Sequence, residues 1–66
     1  MERYTVKQAR LLAGKTQNEA AQALRVCKDT YRALEADPER ATIKQALELS
    51  HFFGIPYDAI IFSPKL

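Results

Sequence analysis

The chain is short of most groups that build a reactive or cross-linked protein. It has one cysteine, Cys27, among 66 residues, so no internal disulfide can form. That pattern fits a reducing cytoplasm and excludes a disulfide-stapled secreted domain. There is also one histidine, His51, so the usual four-ligand metal constellation is missing. A thiol enzyme built on Cys27 and His51 would lack an evident third group or cleft, and no enzymatic activity, cofactor or metal is expected. No apolar run approaches the roughly 18 residues a membrane span needs, and no signal-peptide pattern is present. A soluble, cytoplasmic protein with no membrane partner is expected. Charge of one sign is scarce as well: ten basic against eight acidic residues give +2, which is mild support for a polyanionic partner and identifies none. No linker or repeat divides the chain. Residues 1–66 read as one small domain, of a size that buries only roughly 60% of its unfolded surface.

What is present is helical punctuation. Thr16 followed by Glu19 is a capping box, because the hydroxyl accepts the backbone N–H three residues on while the carboxylate reaches back. A helix over 17–24 follows, with Ala20, Ala21 and Leu24 at helical spacing and the two alanines small enough for a second helix to cross closely. That second helix, 28–36, carries Tyr31 and Leu34 on one face, and Val26 plugs the corner between the two. Lys28, Asp29, Thr30, Arg32 and Ala33 are left facing outward. A polar helix face held on an apolar corner is what a DNA major groove accepts.

The remainder reads the same way. Thr5 caps a first helix over 6–13, in which Val6, Ala9, Arg10 and Ala13 share a face, and Gly14 ends it in a left-handed conformation. Residues 36–41 form a loop, since Pro38 biases Asp37 away from helix. Thr42 opens a helix over 42–53 whose Ile43, Ala46, Leu47, Ser50 and Phe53 are expected to face the core, with Gly54 as its stop. Pro56 suits the first turn of a short fifth helix, 56–61, ending before Ser63 and Pro64. No strand pattern competes, so the fold class is all-α.

Taken residue by residue, this series resembles the phage-repressor and Cro-like (Xre) family of prokaryotic helix-turn-helix DNA-binding domains. The match carries Gln17 at the head of the first motif helix, Ala21 at the close crossing, Leu24 and Val26 beside the turn, and Tyr31 and Leu34 inside the recognition helix. It extends from about Tyr4 to Phe62 and implies a compact five-helix, lambda-repressor-like domain. Arg10 and Glu35 fit the family's interhelix ion pair and are structural. Three positions depart from the pattern. Arg25 stands where the turn usually has Gly, Lys15 where an apolar residue is usual, and Cys27 where a Ser or Thr cap is usual.

The resemblance implies a sequence-specific regulator of transcription on double-stranded DNA, most simply a repressor that occludes a promoter. On a duplex, Lys28 can donate to guanine O6 or N7 and Asp29 can accept from cytosine N4. Arg32 can reach a guanine or a phosphate, and Ala33 offers apolar contact to a thymine methyl. Gln17, Thr30, Arg40, Thr42, Ile43 and Lys44 are expected on the phosphate backbone, several of them at helix N-termini that attract anions. A pseudo-palindromic operator read by a homodimer is expected, with Tyr57, Ile61 and Phe62 nominated for the two-fold contact or for closure of the monomer core. Asp29 and the low net charge also suit a second class, a protein-interaction module such as an antirepressor or antitoxin subunit on the same scaffold. A flat salt dependence of binding would mark that class.

Overall fold

A computed structural model describes residues 3–62. Among them are four α-helices: α1 Val6–Leu12, α2 Gln17–Leu24, α3 Lys28–Ala36 and α4 Ile43–Phe53. Two single turns of 3-10 helix, Pro38–Arg40 and Tyr57–Ala59, complete the helical structure. Three of the four helices begin in the same way. Thr5, Thr16 and Thr42 each accept the N–H of a Gln or Glu three residues on, namely Gln8, Glu19 and Gln45, whose side chain returns to the threonine N–H. Each box satisfies two of the donors a helix start leaves unpaired. Cys27 opens α3 without any side-chain cap bond.

The helix ends also share one device. Gly14, Arg25 and Gly54 take φ of 73°, 60° and 70°, and the residue after each donates to a carbonyl five residues back. Lys15 bonds Arg10, Val26 bonds Ala21 and Ile55 bonds Ser50, at 3.1, 3.0 and 3.1 Å. This left-handed cap suits glycine. At Arg25, the departure from the expected Gly, an L side chain holds the conformation.

Ala20 and Ala21 are buried under the crossing of α2 with α3, as their size predicts, and Tyr31 and Leu34 lie in the same core. Leu49 of α4 is fully buried and Phe53 is 7% exposed. The expected inner stripe of α4 is therefore rotated. Ala46 and Phe53 are inside as expected, but Leu49 joins them while Ile43 and Leu47 are 74% and 52% exposed. Helix α4 carries two overlapping apolar stripes, and the one containing Leu49 faces the core.

The fifth helix is a second correction. Only Tyr57–Ala59 turn, and Ile60 is extended and bridges Tyr4 in parallel. Tyr4 N–H donates to Ala59 at 2.7 Å and Ile61 N–H to Tyr4 at 2.8 Å. Pairing with the chain before α1 thus replaces a further helical turn, in a run whose β-branched isoleucines favour extended backbone. Ser63 and Pro64, the expected stop, lie outside the described residues.

Candidate nucleic-acid interface

Helix α3 is divided lengthwise. Tyr31 and Leu34 are 0% and 4% exposed, which turns Lys28, Asp29, Thr30 and Arg32 to solvent, with Ala33 half-buried at the edge. Ala36 is exposed as well. Helical spacing puts it on the outward face with Asp29, Arg32 and Ala33, a neighbour that the i, i+3, i+7 pattern contained but the sequence reading passed over.

The orientation of α3 is set from behind. Arg10 Nε donates to Glu35 Oε2 at 2.6 Å, and the two side chains are 9% and 7% exposed. Arg10 Nη1 also donates to the Lys15 carbonyl at 2.9 Å, while Gln17 Nε2 donates to the other Glu35 oxygen at 3.1 Å. One carboxylate therefore ties α1 and the start of α2 to α3. Burial pushes the Glu35 carboxyl up, but the hydrogen bonds from Arg10 and Gln17, with the Tyr31 hydroxyl nearby, outweigh this and hold it below its ordinary value. The Tyr31 hydroxyl lies deep beside this carboxylate, and burial and then the neighbouring Glu35 carboxylate keep it protonated far above its ordinary range. Its geometry stops short of a full hydrogen bond.

The expected backbone-binding residues fall into separate groups. Asp29, Thr30, Ala33, Arg40 and Thr42 line one concave surface between α3 and the start of α4, together with Leu34 and Gln45. Gln45 was not anticipated, although the Thr-x-x-Gln spacing signals it: its Oε1 accepts Thr42 N–H at 3.0 Å and its N–H bonds Thr42 Oγ1 at 3.0 Å. The Thr42 hydroxyl thus accepts within the helix and retains its own proton to donate. Gln17 stands apart at the start of α2. One of its two amide protons is held by Glu35, leaving the other and the N-terminal backbone donors of α2 for an anion. Ile43 and Lys44 lie outside this concave surface and border a second groove with Ala23 and Leu47.

Cys27 is exposed, and its Sγ lies 3.1 Å from Thr30 Oγ1 as a hydrogen-bonded pair. Thr30 lowers the thiol below its ordinary value. Lys15, the polar substitute between α1 and α2, places Nζ 5.1 Å from the centre of the Phe52 ring. The residue is half-buried, as a lysine that snorkels past an apolar surface is.

The residues nominated for a two-fold contact are corrected in part. Phe62 is 9% exposed and stacks on Tyr57 at 5.4 Å, and Ile61 is half-buried. Phe62 closes the monomer core, and of the three Tyr57 offers the most open face, 42% exposed.

A helix-turn-helix family model matches residues 6–60, from the first residue of α1 to the Ile60 bridge. The chain belongs to the Cro/Xre-type helix-turn-helix family. Its members are DNA-binding regulators, and the family is not one of enzymes. No curated protein and no solved structure matches the chain. Helices α2 and α3 form the helix-turn-helix, with Arg25 at its turn. Among the described residues no helix is long and apolar enough to cross a membrane.

Proposed function

We propose that this helix-turn-helix protein is a sequence-specific, cytoplasmic regulator of transcription that represses by occupying a pseudo-palindromic operator as two copies. Helix α3 enters the major groove and Lys28 and Asp29 at its start read base edges, Lys28 a guanine and Asp29 a cytosine amine. Arg32 reads a guanine or grips phosphate one turn further along, and Ala33 meets a thymine methyl. Gln17, Thr30, Arg40, Thr42, Ile43 and Lys44 hold the backbone on both sides and set register without reading sequence. For Ile43 the donor is its backbone N–H at the start of α4.

The observation that carries this reading is the lengthwise division of α3. Its inner face is anchored by Tyr31, Leu34 and the Glu35 ion pair, while the charged side chains Lys28, Asp29 and Arg32 are exposed on the outside.

The test is selection of bound sequences from a random duplex pool, run with the native chain and with Lys28→Ala plus Asp29→Ala, at two salt concentrations. Recovery of a two-fold-symmetric motif that relaxes in the double variant is expected. Absence of any motif, with retention weak even at low salt, would sink the DNA reading and redirect the search to protein partners of the same face.

A further inference from the structure

The α4 face that the core does not use is apolar and open. Ile43 and Leu47, one turn apart, are 74% and 52% exposed and form a shallow groove with Ala23 of α2 and Phe52. Exposed branched side chains clustered on one face of so small a protein mark a contact surface more often than scattered ones do. Lys44 and Glu48, also one turn apart, line the same groove with opposite charges. Among the described residues the one ion pair is Arg10–Glu35, so neither charge is used within α4. Their order, lysine before glutamate, is the weaker one for an intrahelical pair, and a lysine in the first turn opposes the helix dipole.

We propose that this face is where a second copy of the chain docks, with the two α4 helices antiparallel across a two-fold axis. In that arrangement Lys44 of each copy meets Glu48 of the other while Ile43 and Leu47 are covered, so one patch is complementary to itself. A partner carrying a single sign of charge would meet one of the two as a like charge. The other exposed apolar pair, Leu11 and Leu12, lies on α1, which contains lysine and arginine but no acidic residue. A two-fold there would oppose like charges. One face of an 11-residue helix falls short of the roughly 800 Å² per partner that a stable complex buries. Association is therefore weak in solution and is completed by linkage through the operator. The proposal deepens the reading of two copies on one operator and rests on it only for the role on DNA; it moves the Lys44 side chain from the phosphate backbone to the partner copy and leaves the backbone N–H of Ile43 for phosphate.

Sedimentation equilibrium without DNA, from micromolar to about 1 mM protein, tests it directly. Expected are reversible dimerisation of the native chain and loss of at least about tenfold in association constant for Leu47→Glu, for Lys44→Glu and for Glu48→Lys. An equimolar mixture of the two charge variants should associate within about threefold of the native chain, because each supplies what the other lacks. Lys44 and Leu47 are exposed and Glu48 is half-buried, and helical circular dichroism checks that each variant is folded. A native chain that stays monomeric at about 1 mM, or a dimer that survives Leu47→Glu but is lost in Tyr57→Ala, would overturn the proposal. Retention on a duplex with a single half-site reads the DNA function separately. Dimerisation with no retention there supports the α4 contact and removes the operator reading.

Discussion

Arg10 and Glu35, 25 residues apart in sequence, meet at 2.6 Å between α1 and α3 with both side chains nearly out of solvent. Removing one partner from such a pair leaves a buried charge uncompensated, which costs about 3–5 kcal/mol. Glu35→Ala is expected to lose that much, a large share of what a domain of this size has. Urea unfolding followed by circular dichroism measures it. Joint replacement by apolar residues of similar volume, Arg10→Met with Glu35→Leu, is expected to recover most of the loss. Equal destabilisation in the single and joint variants would show that the pair holds the fold by more than charge balance.

The same carboxylate gives stability a direction in pH. Its folded value lies below the ordinary 4.5, so the unfolded chain takes up the proton first as pH falls. The stabilisation is fully present above about pH 5 and is lost progressively on descending through 4.5 towards the folded value. Urea midpoints at pH 7, 5 and 3 should decline over the last interval, and the decline should be smaller in Glu35→Gln. An identical decline in that variant would place the acid-sensitive group elsewhere.

Arg25 stands at φ 60° where its two counterparts at helix ends are glycines. A non-glycine residue there costs roughly 1–2 kcal/mol, of which the greater unfolded-state freedom of glycine takes back part. Arg25→Gly is expected to raise stability by about 0.5–1 kcal/mol, seen as a higher thermal midpoint.

Helix α3 lacks the cap that the other three helices have, because Cys27 makes no bond to a backbone N–H. Cys27→Ser supplies a good acceptor at that position and is expected to add about 1 kcal/mol. It also removes the exposed thiol beside Thr30. Unchanged urea stability would mean that the Thr30 hydroxyl already satisfies the helix start.

Much of this organisation was legible because it is local. A threonine followed three residues later by Gln or Glu announces a helix start wherever it falls, and Gly14 and Gly54 announce two of the ends. The α2–α3 corner was legible for the same reason, since Ala20, Ala21, Val26, Tyr31 and Leu34 lie within one short stretch. The rotation of α4 was not. Ile43, Leu47, Leu49 and Phe53 give two apolar stripes at helical period, and which of them is inside depends on what α2 and the C-terminal turn present. The fate of residues 60–62 was hidden likewise, because it depends on Tyr4, which lies far away in sequence. At the candidate site the outward face of α3 was readable from the buried positions of Tyr31 and Leu34. The bond from Gln17 to Glu35 was not, because it needs the relative placement of two helices.

Arg40 and Lys28 offer the sharpest separation of anchoring from reading. Arg40 sits in the 3-10 turn, off α3 itself, on the concave surface that Thr42 lines together with Asp29, Thr30 and Ala33. A phosphate contact contributes equally on every sequence and releases a counterion, so Arg40→Ala should weaken specific and non-specific duplexes by a similar factor. It should also reduce the slope of log affinity against log salt by about 0.9. Lys28→Ala should instead cost about 1–3 kcal/mol on the selected operator, little on random duplex, and relax preference at a single base pair. Asp29→Asn belongs with neither. Removing an acid near the phosphates should strengthen random-sequence binding while weakening discrimination at the cytosine. Fluorescence anisotropy with operator and random duplexes across a salt series measures all three. If Lys28→Ala and Arg40→Ala behaved alike on both duplexes, Lys28 would be a backbone anchor, and base reading would pass to Arg32 and Ala33 further along α3.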